Sequence, residues 1–231
     1  MPIYKRLTTV FVLFSVIFSI QNAVAGDAST SGFSERLSII NQASGFNTNG
    51  YFTFRRDLRR CPSPYCSGLF IKAVNRKVTR CADGSWLSEC YVANVINSKG
   101  IDISHAALLK GAIISNYISG FGAFDLKSAY RSASDKPGQG IFVGLENNGL
   151  VCITSPCFSY DQYVLNSNKL RYISGIDLKN SGASAKAIDT ATSILANGGV
   201  LLAAGINKQV QEFAGLGITF VANQMYFPIA P

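Results

Sequence analysis

Cys61-Pro-Ser-Pro-Tyr-Cys66 and Cys152-Ile-Thr-Ser-Pro-Cys157 decide how this chain is read, because each is followed at the same distance by an apolar residue and an asparagine, Val74-Asn75 and Leu165-Asn166. A constant offset between two such blocks is the mark of one supersecondary unit used twice. What both copies carry is then scaffold, and what only one carries is an addition. Around each cysteine block the pattern continues. Tyr51-Phe-Thr-Phe54 and Ile141-Phe-Val-Gly-Leu145 are short and β-prone, and read as strands entering the turn. Leu69–Val74 and Gln162–Leu165 read as strands leaving it, and Cys90–Ile96 and Arg171–Ile176 as a third strand in each copy.

Ser104–Gly111 and Ala183–Asn197 carry alanine and leucine at helical spacing and end near glycine, which predicts one helix per copy. Two more strands follow in each, Ala112–Ile118 with Gly120–Leu126 leading to Tyr130, and Val200–Ile206 with Gly215–Val221 leading to Tyr226. The expected fold is α+β and β-rich, with antiparallel sheets and two tandem repeats of three strands, one helix and two strands. Repeat one spans 51–137 and repeat two 138–231.

Residues 1–25 read as a secretory signal peptide, with Lys5 and Arg6 before the apolar Leu7–Ile20 and Ala23-Val-Ala25 as the cleavage site. Residues 26–50, rich in small polar residues, read as a leader or linker. The mature chain holds no further run of transmembrane length. The expected location is outside the cytoplasm, in the periplasm or the medium. The low charged fraction of 15% and the positive mean hydropathy argue for a folded chain.

All six cysteines follow the signal peptide, which points to disulfides. Six cysteines allow fifteen pairings. The repeat selects one, because Asn75 to Tyr91 spans ten residues more than Asn166 to Tyr172, the length of Cys81–Cys90. If that segment is an insertion closed on itself, the bridges are Cys61–Cys66, Cys81–Cys90 and Cys152–Cys157. A zinc site would want closer cysteine pairs and histidine help, and the chain has one histidine. No metal and no cofactor are expected.

The run Arg55–Gly68, then Val74-Asn75, Thr79-Arg-Cys81-Ala-Asp-Gly84 and Cys90-Tyr-Val-Ala93, resembles a family of exported bacterial proteins catalogued only as a domain of unknown function. The similarity extends through Ala129-Tyr-Arg131 and the second cysteine block. The resemblance implies export from a bacterium and an all-disulfide cysteine set, and it brings no catalytic residues with it.

Charge separates the copies. The net charge is +8, and residues 51–80 hold Arg55, Arg56, Arg59, Arg60, Lys72, Arg76, Lys77 and Arg80 against the single acid Asp57. Copy two has Glu146 and Asn147 at the places of Arg55 and Arg56, and Leu150 and Val151 at those of Arg59 and Arg60. Clustered guanidinium groups take carboxylates and phosphates bidentately. The candidate ligand-binding residues are therefore Arg55, Arg56, Arg59, Arg60, Arg76, Lys77, Arg80 and Trp86, the last presented on the inserted loop. The expected partner is an anionic glycan, lipopolysaccharide or a protein; export and the lack of a recognition motif argue against nucleic acid. A solvated basic face is the plainer reading of the same charges. Asp102, Ser104 and His105 are adjacent at a predicted helix start, where a cap fits better than a triad. The function expected is a non-enzymatic exported binding module; the alternative is an envelope or extracellular hydrolase using carboxylates that the sequence does not single out.

Overall fold

The computed structural model describes residues 49–62, 64–115 and 121–231; the signal peptide and nearly all of the leader expected from the sequence lie outside them. Among the described residues thirteen strands and one α-helix follow one another: β1 (Gly50–Arg56), β2 (Leu69–Ala73), β3 (Thr79–Arg80), β4 (Trp86–Leu87), β5 (Cys90–Ile96), β6 (Leu108–Ile114), β7 (Gly122–Ser132), β8 (Ile141–Asn147), β9 (Tyr160–Val164), β10 (Leu170–Ile173), β11 (Gly175–Asp177), α1 (Ala185–Ala196), β12 (Leu201–Glu212) and β13 (Gly215–Pro228). The protein is a β-rich α+β fold with mostly antiparallel pairing and three local disulfides, Cys61–Cys66, Cys81–Cys90 and Cys152–Cys157.

The strands close into two rings. In the first, β1 pairs β2, β2 pairs β5, β5 runs parallel to β7, β7 pairs β6 and β6 returns to β1. In the second, β8 pairs β9, β9 pairs β10, β11 runs parallel to β13, β13 pairs β12 and β12 returns to β8. Only Ser174 separates β10 from β11, and its backbone N–H reaches the Ile218 carbonyl at 2.8 Å. Closure removes the open edges that a short sheet would otherwise expose. The registers coincide as well: Phe70 lies opposite Tyr91, and Asp161 opposite Tyr172. Measured from these partners, Cys81–Cys90 with the β3–β4 hairpin is extra chain in ring one.

Each ring needs one glycine for its curvature. The β6–β7 ladder shifts register at Lys110/Gly111 and the β12–β13 ladder at Ala204/Gly205. A Cβ on Gly111 would collide with the Asp125 carbonyl oxygen, and one on Gly205 with that of Val221. These bulges bend the two long hairpins around their rings.

One predicted element is corrected. Ser104–Gly111 is not a helix: Ala106 closes a turn on Ile103, and Leu108 already belongs to β6. Leu108 and Leu109 are both fully buried, one at the contact between rings and the other inside ring one. A strand buried on both faces reads as a continuous apolar run, which periodicity does not distinguish from a helix segment. The chain joining β11 to β12 is longer and does form α1, capped by Ser184, whose side chain accepts from the Ala187 N–H. α1 places Ala191 and Leu195 on the core of ring two with Leu145, Phe220 and Met225. In ring one Ile101, Ile103 and Ala106 cover the corresponding core of Phe52, Ile71, Val92 and Phe124.

The rings meet at a waist. β7 and β13 pair antiparallel over their last residues only, Tyr130–Ser132 against Tyr226–Pro228. A third apolar cluster draws matched residues from both sides, Tyr51 with Phe142, Val74 with Leu165 and Tyr130 with Tyr226. Two asparagines lock it reciprocally. Asn75 Nδ2 donates to the carbonyls of Phe142 (2.7 Å) and Leu165 (2.9 Å) while its Oδ1 accepts from the Phe142 N–H. Asn166 Nδ2 donates to those of Tyr51 (2.7 Å) and Val74 (3.0 Å) while its Oδ1 accepts from the Tyr51 N–H. Both sit at φ 57°, a left-handed conformation that asparagine tolerates better than most residues.

Since β7 starts at Gly122 and β13 at Gly215 and both run into this antiparallel waist, their starting ends, which mark the tips of the two rings, point away from one another. Each tip touches the disulfide turn of its own ring: Tyr65 and Phe121 rings lie 5.7 Å apart at one end, and the Ala214 N–H donates to the Ser155 carbonyl at 2.8 Å at the other.

Candidate functional site

β1 and β2 place Arg55 directly opposite Phe70. The Arg55 guanidinium lies 3.9 Å from the ring centroid, and its Nε and Nη2 fork onto the carboxylate of Glu89, which the inserted loop supplies. Arg59 approaches the same ring at 5.7 Å and Tyr91 at 6.0 Å. Its fork closes on Asp57, Nε to Oδ1 at 3.0 Å and Nη2 to Oδ2 at 2.9 Å, and Nη2 also donates to the Tyr65 carbonyl. That fork holds the Asp57 carboxyl below the ordinary carboxylate range. Asp57 is buried and its Oδ1 also accepts from the Arg59 N–H, so one carboxylate sets both the turn and the arginine.

Aromatic rings run on from there. Phe70 meets Tyr91 at 5.3 Å, Tyr91 meets Phe121 at 5.7 Å, and Phe121 meets Tyr65. The Tyr91 hydroxyl donates to the Pro64 carbonyl and ties the row to the Cys61–Cys66 turn. The surface left between these groups is a shallow depression of about 750 Å³ lined by Arg55, Arg56, Asp57, Leu58, Arg59 and Phe70. Leu58 is 85% exposed at its rim, and Arg56 and Arg60 are exposed beside it. Two cations are thus fixed over an aromatic floor and two stand in solvent. Such a surface can stack a planar or sugar face while offering guanidinium groups to an anion.

The remaining sequence-predicted residues fall elsewhere. Arg76 and Lys77 follow the far end of β2, on the order of 15 Å from Arg55 at the strand rise. Arg76 there donates to the Asn166 carbonyl across the waist. Arg80 is opposite Trp86 in the β3–β4 hairpin, where Trp86 is 59% exposed. The basic segment of the sequence is therefore split in space, with Arg55, Arg56, Arg59 and Arg60 at the tip of ring one and Arg76 and Lys77 at the waist.

Sequence reasoning missed the groups that orient the arginines. Asp57 was present two residues before Arg59, the spacing of an Asx turn, and Phe70 alternates with inward residues on β2. Glu89 carried no such signal, since only the closure of the inserted loop brings it to Arg55.

The other sequence candidates resolve differently. Asp102 accepts from the Ser104 N–H and hydroxyl, both at 2.8 Å, in a turn that starts no helix. The hydroxyl is thereby directed at the carboxylate and not at His105, so no nucleophile–base pair exists there. These bonds hold Asp102 below the ordinary range. In ring two, Glu146 and Asp161 occupy the places of Arg55 and Phe70 and face each other across β8 and β9, a pairing the sequence did not reveal. Both are buried, and Asp161 accepts from Tyr163 Oη at 3.1 Å and Asn148 Nδ2 at 2.9 Å. They form part of the internal polar structure of ring two. Among the described residues no group of three or more His, Cys, Asp or Glu is placed to hold a metal ion, and no helix is long and apolar enough to cross a membrane.

A family model described as "Domain of unknown function (DUF6748)" matches residues 50–231. The chain belongs to this family. The match begins at the first residue of β1 and covers both rings of this DUF6748 protein, so the family unit is the paired structure and not one ring. No curated protein and no solved structure matches the chain.

Proposed function

We propose that the protein is an exported, non-enzymatic binding module that presents the tip of ring one to an anionic partner, an acidic glycan or the phosphorylated sugars of lipopolysaccharide. The reading is carried by one observation: Arg55 and Arg59 are held over Phe70 by forks from Glu89 and Asp57, with Arg56 and Arg60 exposed at the same rim. A merely solvated basic face needs no such preorganisation, because long side chains in water gain little from being fixed. A stacked and forked pair loses less freedom on binding an anion. Ring two keeps the same strands without the arginines, which is consistent with a role for them outside the fold. The hydrolase alternative has little behind it, since the facing carboxylates Glu146 and Asp161 are buried.

The test is retention of the oxidised protein on a sulfated polysaccharide and on lipopolysaccharide, each against neutral dextran, at low and high salt. Retention should fall with salt, and Arg56→Gln with Arg60→Gln should abolish most of it without a change in fold, because neither residue makes an ion pair among the described residues. Unchanged retention both in that variant and in Arg55→Gln with Arg59→Gln would leave the arginines as a solubility feature.

A further inference from the structure

The last backbone bond between β1 and β2 runs from the Asp57 N–H to the Gly68 carbonyl at 3.0 Å, and beyond it the chain leaves the sheet in a loop closed by Cys61–Cys66. Inside the bridge the Tyr65 N–H turns back on the Pro62 carbonyl. The groups that follow face the basic depression. The Tyr65 carbonyl accepts from Arg59 Nη2 at 3.1 Å, the Pro64 carbonyl accepts from the Tyr91 hydroxyl at 2.9 Å, and the Tyr65 ring meets Phe121 edge-on. Arg60 is joined directly to Cys61. Half of the basic surface, Arg59 and Arg60, thus depends on where the bridge holds this turn. The other half does not: Arg55 and Arg56 belong to β1, and Arg55 is forked by Glu89 from a different loop.

The three bridges differ in exposure. Cys81–Cys90 is sheltered, with Cys81 half-buried and Cys90 buried. Cys61 is exposed while its partner Cys66 is buried, so a thiolate reaches the first bridge from the Cys61 side. Opening it removes little from the fold. The closed loop is short and restricts the unfolded chain little, and the core of ring one rests on Phe52, Ile71, Val92 and Phe124, away from the turn. What is released is the turn outside the Asp57–Gly68 bond. In ring two Cys152 is likewise exposed, but the turn that Cys152–Cys157 closes carries no charged residue. That bridge is an internal control.

We propose, resting on the anion-binding reading of this site, that the Cys61–Cys66 bridge sets the affinity of the basic depression and makes it sensitive to reduction. A dithiol donor attacks Cys61 Sγ as a thiolate; the S–S bond breaks, and Cys66 leaves as a thiolate that takes up a proton. The donor's second thiol resolves the mixed disulfide, so Cys61 is released as a thiol and the donor departs as its own disulfide, two electrons having passed to the protein. The freed turn no longer places Arg60, and Arg59 keeps only its fork to Asp57. A polyanion must then order these side chains as it binds.

The test is titration of the oxidised protein with dextran sulfate at low salt, against Cys61→Ser with Cys66→Ser and, as control, Cys152→Ser with Cys157→Ser. The first pair should weaken binding about tenfold and the second should leave it unchanged, with circular dichroism unaltered in both. Coupling separates this role from a plain loss of stability. Arg60→Gln should cost several-fold in affinity in the oxidised protein and little once Cys61 and Cys66 are serine, whereas Arg56→Gln should cost the same in both backgrounds. With wild type in dilute dithiothreitol, alkylation and peptide mapping should find Cys61 and Cys66 labelled while Cys81 and Cys90 stay bridged, and the loss of affinity should track that label. Equal affinity with and without the bridge, equal coupling at Arg56 and Arg60, or opening of Cys81–Cys90 first would overturn the proposal and leave anion binding standing. Absence of binding by the oxidised wild type would overturn both.

Discussion

The two disulfide turns are built alike and end in opposite chemistry. Asp57 Oδ1 accepts from the Arg59 N–H at 3.1 Å, and Asn148 Oδ1 from the Leu150 N–H at 3.0 Å, so one Asx turn leads into each cysteine loop. Past that turn the first ring carries Arg59 and Arg60, and the second Leu150 and Val151. Cross-strand neighbours diverge in the same way, Arg55 opposite Phe70 in one ring and Glu146 opposite Asp161 in the other. The features held in common are those that a closed strand ring needs: a bulge glycine, a left-handed asparagine and a ring contact at the waist. The residues that differ, arginines in one ring and exposed apolar side chains in the other, stand where the fold is indifferent.

If the shared features are the scaffold, breaking either copy of one should do equal harm. The largest effect is expected at the bulges. Gly111→Ala and Gly205→Ala each drive a methyl group into a backbone carbonyl that cannot step aside, and each should cost about 3 kcal/mol or more. Urea denaturation of the two single variants checks it. A loss in one ring only would mean that the rings do not carry the molecule equally.

The waist asparagines come next. Asn75→Ala and Asn166→Ala each remove three hydrogen bonds to the opposite ring and leave two of its partly buried backbone groups without a partner, the Phe142 N–H and Leu165 carbonyl or the Tyr51 N–H and Val74 carbonyl, and each should destabilise by about 2–3 kcal/mol. Both locks close one interface, so the double variant should lose less than the sum of the singles, because much of the contact has already gone. Strict additivity would show that the locks act within their rings and not between them.

The sequence announced this comparison more clearly than it announced the site. The offset between the Cys-x4-Cys turns and the two asparagines is a backbone matter: an exposed turn followed by a left-handed residue leaves a local mark that survives in both copies. Ring closure left none, since the parallel pairs β5–β7 and β11–β13 join residues far apart in the chain. Leu108-Leu109 hid a strand inside a helical spacing, because burial on both faces removes alternation. At the site, the arginines were legible as charge, but their division between tip and waist was not. That division depends on β2 running from Leu69 to Ala73, with Arg55 and Arg56 beside its start and Arg76 and Lys77 beyond its end. The exposed apolar side chains escaped notice for a related reason: only the fold brings Phe213 beside the Cys152–Cys157 turn and leaves Val151 and Ile153 outside.

The smallest effect should come from making one turn resemble the other. Asp57→Asn gives ring one the residue that ring two already uses, so the Asx turn should persist and the fold at neutral pH should change little. What is lost is the fork to Arg59, and with it a carboxyl held below its ordinary range. A depressed folded-state value means that the charge contributes fully above the unfolded value of about 3.9 and fades as the pH falls through the folded one. The thermal midpoints of wild type and Asp57→Asn should therefore differ by a small, constant amount from pH 5 upward and converge below about pH 4. Curves that stay parallel into acid would remove the ion pair as the cause of any difference. Polysaccharide retention of the same variant separates the charge from its placement, because Asp57→Asn leaves every arginine and adds one unit of net positive charge. If charge alone bound the partner, retention would rise; if binding needs Arg59 held over Phe70, retention should fall in spite of the added charge.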